Sequence, residues 1–106
     1  MSLPGLGTAS GFAGGIDDVE TFYSYRDFTT PATIYRYDAV SGATGVFKAP
    51  ATAFDPALYE TIQTFYASKD GTRVPMFITA RKGTPRDGRN PTILSGYGGF
   101  NISRTP

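Results

Sequence analysis

Thr61-Ile62-Gln63-Thr64-Phe65-Tyr66, then Ser68-Lys69-Asp70-Gly71-Thr72, then Arg73-Val74-Pro75-Met76-Phe77-Ile78-Thr79-Ala80, is the stretch on which the fold class turns. The first run is rich in β-branched and aromatic residues, which suit a pleated surface. The middle run is polar and carries Asp70-Gly71, a strong short-range hairpin signal. The third run follows the two-residue period and sets Val74, Met76 and Ile78 on one face. Pro75 has no amide proton for a ladder, so this strand belongs at a sheet edge or begins a strand. The stretch therefore predicts an antiparallel hairpin.

Upstream, the same signals recur. Thr21-Phe22-Tyr23-Ser24-Tyr25 predicts a strand that Thr29-Thr30-Pro31 breaks. Thr33 to Asp38 predicts a second, with Ile34 and Arg36 on one side and Tyr35 and Tyr37 on the other. Ser41-Gly42 supplies a turn, and Val46-Phe47-Lys48 is extended again. Residues 1–20, dense in Gly, read as loop with room for one short strand. Three short strands within 50 residues resemble the content of one propeller blade, and no second copy follows. Residues 49–55 read as a linker, and Asp55-Pro56 as the cap and first position of a single helical turn. Residues 81–91, charged and rich in Gly and Pro, predict an exposed loop. Thr92-Ile93-Leu94-Ser95 predicts a short apolar strand that feeds Gly96-Tyr97-Gly98-Gly99-Phe100.

Composition narrows the chemistry. The 106 residues include 13 Gly and 8 Pro, which oppose long helices. There is no Cys and no His, so the chain alone makes no disulfide, thiolate nucleophile, Cys-bound metal, two-His site or Ser–His–Asp triad. A net charge of +1 from 10 basic and 9 acidic residues gives no footprint for nucleic acid or for a membrane surface. No apolar run is long enough to span a bilayer. Residues 1–5 lack the basic and apolar regions of a secretory signal, so a cytoplasmic or periplasmic setting is expected.

The Gly-rich run at 96–99 is the sharpest candidate. Glycine is placed where backbone bends left-handed or approaches a ligand. A P-loop would need Gly-Lys-Ser/Thr, and a dinucleotide fingerprint would need G-x-G-x-x-G; neither spacing is present. An oxyanion loop remains, because hydrolases of the α/β type draw a donor from the segment after their third strand. Tyr97 would be that donor through its phenol O–H; the alternative is a packed Tyr in a tight turn. Asp17, Asp18 and Glu20 would serve acid–base work, Ca²⁺ or simply a solvated loop. Arg81, Lys82, Arg86 and Arg89 have no aromatic residue among them, so the stacking of a nucleic-acid site is missing. Asn101-Ile102-Ser103 has the form of a glycosylation sequon, relevant only in a glycosylating compartment.

Tyr59 to Gln63, Phe65 to Ile78 and Gly96-Tyr97-Gly98-Gly99-Phe100-Asn101-Ile102-Ser103 resemble the prolyl oligopeptidase family, as do Asp27 to Pro31 and Ile34 to Asp38. The resemblance is collinear over nearly the whole chain. It implies a serine endopeptidase that cleaves small peptides on the carboxyl side of proline, needs no cofactor or metal, and works as a monomer on proline-containing peptides. It implies a mainly β chain: residues 1–50 as the last blade of a seven-bladed β-propeller, and residues 51–106 as the first strands of an α/β-hydrolase domain. By the same resemblance Tyr97 helps form the oxyanion hole and Phe100 lines the pocket for the substrate proline. Ser95 departs from the family, which usually has Tyr there. The Gly-x-Ser-x-Gly elbow, acid and His would lie beyond Pro106, and Ser95 is no substitute, since no elbow follows it and no base can activate it. The expectation is therefore a piece of a peptidase, inactive alone; a free-standing β-rich binding module and a relative with a different side-chain preference are the alternatives.

Overall fold

The computed structural model describes residues 1–106. It divides into two units, Met1–Pro56 (with Pro106) and Ala57–Thr105.

The first unit is a four-stranded antiparallel sheet of β1 (Thr8–Gly11), β2 (Glu20–Arg26), β3 (Thr33–Asp38) and β4 (Thr44–Lys48), in that order. The expected three strands are joined by a fourth, β1, whose Thr-Ala-Ser-Gly sequence carries little β signal. Its pairing explains it: Gly11 lies opposite Tyr23 at φ 112°, a backbone conformation that favours glycine. Just outside the strand, a Cβ on Gly7 would stand 2.4 Å from the Arg26 carbonyl and 2.6 Å from the Tyr25 ring. Glycine there lets the N-terminal segment lie on β2.

The core of this sheet is aromatic. Tyr23 and Tyr25 point to one face and are each only 1 % exposed. Tyr35 lies opposite Tyr23, with the rings stacked at 5.3 Å. Phe12 stacks on Tyr23 from the other side at 4.9 Å, and Tyr25 meets Tyr35 edge-on at 6.2 Å. Such pairs add roughly 0.5–1.5 kcal/mol each beyond the area they bury. The two buried hydroxyls differ. Tyr25 donates to Asp27 Oδ2 at 3.0 Å, whereas Tyr23 Oη has no hydrogen-bond partner. Burial, and then the Asp27 bond, pushes the Tyr25 phenol up to about 12.

Asp27 also organises the β2–β3 turn. Its Oδ1 accepts from the Thr29 amide at 2.7 Å, the Thr29 hydroxyl at 2.9 Å and the Thr30 amide at 2.7 Å. Burial raises its carboxyl, but these bonds and that from Tyr25 together hold it below the ordinary value. On the opposite face Phe22 meets Phe47 edge-on at 4.9 Å, and Arg36 pairs with Glu20. Phe47 is the extra residue of a bulge: Ile34 pairs with Lys48 and Tyr35 with Val46. At the β3–β4 turn Asp38 accepts from the Val40 and Ser41 amides, and Gly42 adopts φ 74°.

The second unit holds the expected hairpin. A single 3₁₀ turn, Pro56–Leu58, leads into β5 (Tyr59–Ala67), which pairs antiparallel with β6 (Arg73–Arg81). Ser68 N–H donates to Thr72 O, and Asp70 Oδ1 accepts from the Thr72 amide. Gly71 takes φ 84°, as the Asp-Gly signal requires. Val74, Met76 and Ile78 share a half-buried face with Ala80. They face Tyr66, Thr64, Ile62 and Glu60 in register. Thr61 and Thr79 hydrogen-bond at 2.9 Å across the other face, where the Arg73 guanidinium lies 4.5 Å from the Phe65 ring. Both strands are edges, which accommodates Pro75.

The expected strand at 92–95 does not form. Ile93 and Leu94 are 95 % and 87 % exposed, and no ladder reaches them. A strand exists only through its neighbour, and apolar character alone supplies none. The architecture is thus mainly β, with no α-helix.

Candidate functional site

The Gly-rich segment follows directly. Residues 92–98 carry no regular structure, and a turn closes at 99–102, where the Gly99 carbonyl accepts from the Ile102 amide at 3.2 Å. Phe100 and Asn101 occupy its centre, both at φ 53°. Asn tolerates that left-handed region better than most residues, and Phe does not favour it. The chain therefore reverses tightly through Phe100 and Asn101.

Tyr97 stands before the turn, flanked by Gly96 and Gly98. A Cβ at Gly96, Gly98 or Gly99 would meet nothing within 4 Å. None of these glycines is required by a close packing contact. Tyr97 is 46 % exposed and Phe100 is 91 % exposed. One cation faces the phenol: the Arg104 guanidinium carbon lies 5.7 Å from the Tyr97 ring centroid. This partnership was not legible from spacing, because the two residues are seven apart and meet only through the reversal at Phe100 and Asn101.

The other candidates resolve into local structure. Asp18 Oδ2 accepts from the Gly15 amide at 2.6 Å, and Glu20 is paired with Arg36. They border an open depression of about 220 Å³ walled by Phe12 and Tyr37. No three acidic or metal-ligating residues cluster to hold an ion. In the 81–91 loop the Arg81 carbonyl accepts from Thr84, and Asp87 accepts from the Arg89 amide.

A family model described as prolyl oligopeptidase, N-terminal beta-propeller domain, matches residues 1–50. Among curated proteins, the chain is 46 % identical to a prolyl endopeptidase of Elizabethkingia meningoseptica, over all of its own length and 15 % of the relative's. It is 43 % identical over 89 residues to the dual function macrocyclase-peptidase POPB of Galerina marginata, covering 80 % of this chain and 12 % of that one. A solved prolyl endopeptidase superposes with a TM-score of 0.80 at 43 % identity, over 98 % of this chain and 15 % of that one. Prolyl oligopeptidase B of Galerina marginata, solved with a 35mer hydrolysis and macrocyclization substrate, superposes with a TM-score of 0.81 at 35 % identity, over all of this chain and 15 % of that one. The chain thus spans about 15 % of the length of these prolyl endopeptidases. With identity collinear from end to end and an aromatic four-stranded sheet under the propeller match, the chain belongs to the prolyl oligopeptidase family.

Proposed function

We propose that this chain is a segment of a serine endopeptidase that hydrolyses small proline-containing peptides on the carboxyl side of proline. Residues 1–50 would form the last propeller blade, and residues 51–106 the first strands of the α/β-hydrolase domain. The observation that carries the reading is the 46 % identity across all 106 residues to a prolyl endopeptidase.

In this reading Tyr97 is the oxyanion donor. When the nucleophile attacks the scissile carbonyl, charge grows on its oxygen, and the phenol O–H donates to it while keeping its proton. One well-aimed donor of this kind is worth roughly 3–4 kcal/mol in the transition state. Open backbone on both sides of Tyr97 leaves the phenol reachable by a substrate. Phe100, exposed at the crest of the turn, supplies an apolar wall for the pyrrolidine ring of proline. Nucleophile, acid and base come from the rest of the enzyme, since this chain has no His.

The test is hydrolysis of a Gly-Pro-linked chromogenic substrate. The 106-residue chain should give no turnover, and the full-length enzyme should. In the latter, Tyr97→Phe should lower kcat by roughly 100- to 1,000-fold. Turnover by the short chain would overturn the assignment, and an unchanged kcat would remove Tyr97 from the oxyanion hole.

A further inference from the structure

Tyr97 is flanked by two glycines and faces one cation. Gly96 and Gly98 offer no side chain to hold the ring, and open space surrounds both. The chain then reverses through Phe100 and Asn101, closed by the Ile102 amide on the Gly99 carbonyl. The reversal brings Arg104 back until its guanidinium carbon stands 5.7 Å from the Tyr97 ring centroid. That distance lies within the roughly 6 Å over which a ring face attracts a cation.

We infer that Arg104 is a positioning residue for Tyr97: its guanidinium fixes the phenol ring and strengthens the O–H as a donor. The inference rests on the oxyanion reading of Tyr97. Two effects act together. A half-exposed Tyr between two glycines has free χ1 and χ2, and a cation over its face selects among those rotamers. The positive charge also withdraws electron density from the ring, which makes the hydroxyl a better hydrogen-bond donor to a developing oxyanion. No proton leaves Tyr97 and no bond to Arg104 forms; its whole effect passes through the phenol.

The experiment is a double-mutant cycle in the full-length enzyme with a Gly-Pro-linked chromogenic substrate. Arg104→Ala should lower kcat about two- to fivefold, as expected for an exposed cation–ring contact, with KM changed by less than about twofold. Arg104→Lys, which keeps the charge, should recover most of the loss. In the Tyr97→Phe background, where ring and contact persist but the hydroxyl is gone, Arg104→Ala should have no further effect on kcat. Three results would overturn the inference: an unchanged kcat in Arg104→Ala, an Arg104→Lys variant as slow as the alanine, or an equal loss in the Tyr97→Phe background. The underlying reading fails separately, through Tyr97→Phe alone retaining full kcat.

Discussion

Tyr23 and Tyr25 form a matched pair on which removal of one atom should have opposite consequences. They lie on the same face of β2, and each is 1 % exposed. Tyr→Phe leaves every ring contact in place and deletes only the hydroxyl. At Tyr25 the deletion loses a bond to the Asp27 carboxylate at 3.0 Å. A bond to a charged acceptor contributes about 1.5–3 kcal/mol, and partial exposure of Asp27 puts the cost nearer the lower figure. At Tyr23 the hydroxyl is buried without a protein partner. Its desolvation penalty, about 1–3 kcal/mol, has nothing to offset it. Tyr23→Phe should therefore leave stability unchanged or raise it by about 1 kcal/mol. For a unit the size of Met1–Pro56 each kcal/mol moves the midpoint by roughly 4–8 °C. Thermal unfolding followed by far-UV circular dichroism should place Tyr25→Phe below the wild type and Tyr23→Phe at or above it. Equal destabilisation of the two variants would refute the reasoning, by showing that the Tyr23 hydroxyl is satisfied.

Gly7→Ala should cost roughly 1–3 kcal/mol, because the new methyl meets the Arg26 carbonyl, a backbone atom that cannot swing away. Gly45→Ala, in β4 with open space around it, should be neutral or stabilise by about 0.5 kcal/mol, and urea midpoints compare the two. Asp27 has a folded carboxyl held below its ordinary value of 3.8, so its contribution is fully present above that value and fades as pH falls through the lower folded one. Asp27→Asn should accordingly flatten the fall of thermal midpoint with acid, and an unaltered acid profile would count against the turn network. In the full-length enzyme Phe100→Ala should raise KM for proline substrates more than it lowers kcat, as steady-state kinetics would read directly.

The hairpins were readable because their turns are local chemistry. Asp70-Gly71 and Ser41-Gly42 put glycine where φ is positive, and the runs that flank them are rich in β-branched and aromatic residues. β3 follows its sequence pattern residue for residue from Thr33 to Asp38. β1 was hard to see for the opposite reason: Thr-Ala-Ser-Gly is a strand only because β2 lies beside it and glycine fits beneath Tyr25. Ile93 and Leu94 show the converse, since apolar residues without a pairing edge stay unpaired and exposed. At the site, the Gly-rich run around Tyr97 was legible as a place for backbone to bend. The Arg104 contact was not, because it depends on two left-handed residues that no local pattern announced, one of them a phenylalanine.

The extra residue in β4 has a bearing on solution behaviour. An edge strand with one unpaired rim and with Val46 and Phe47 exposed would ordinarily be a template on which another chain could add. Insertion of Phe47 between the partners of Ile34 and Tyr35 breaks the even spacing of donors and acceptors along that rim, and Lys48 puts a charge at its end. A second strand approaching it finds no continuous register to copy. The irregularity that seats one ring on Phe22 thus also guards the sheet against runaway strand addition.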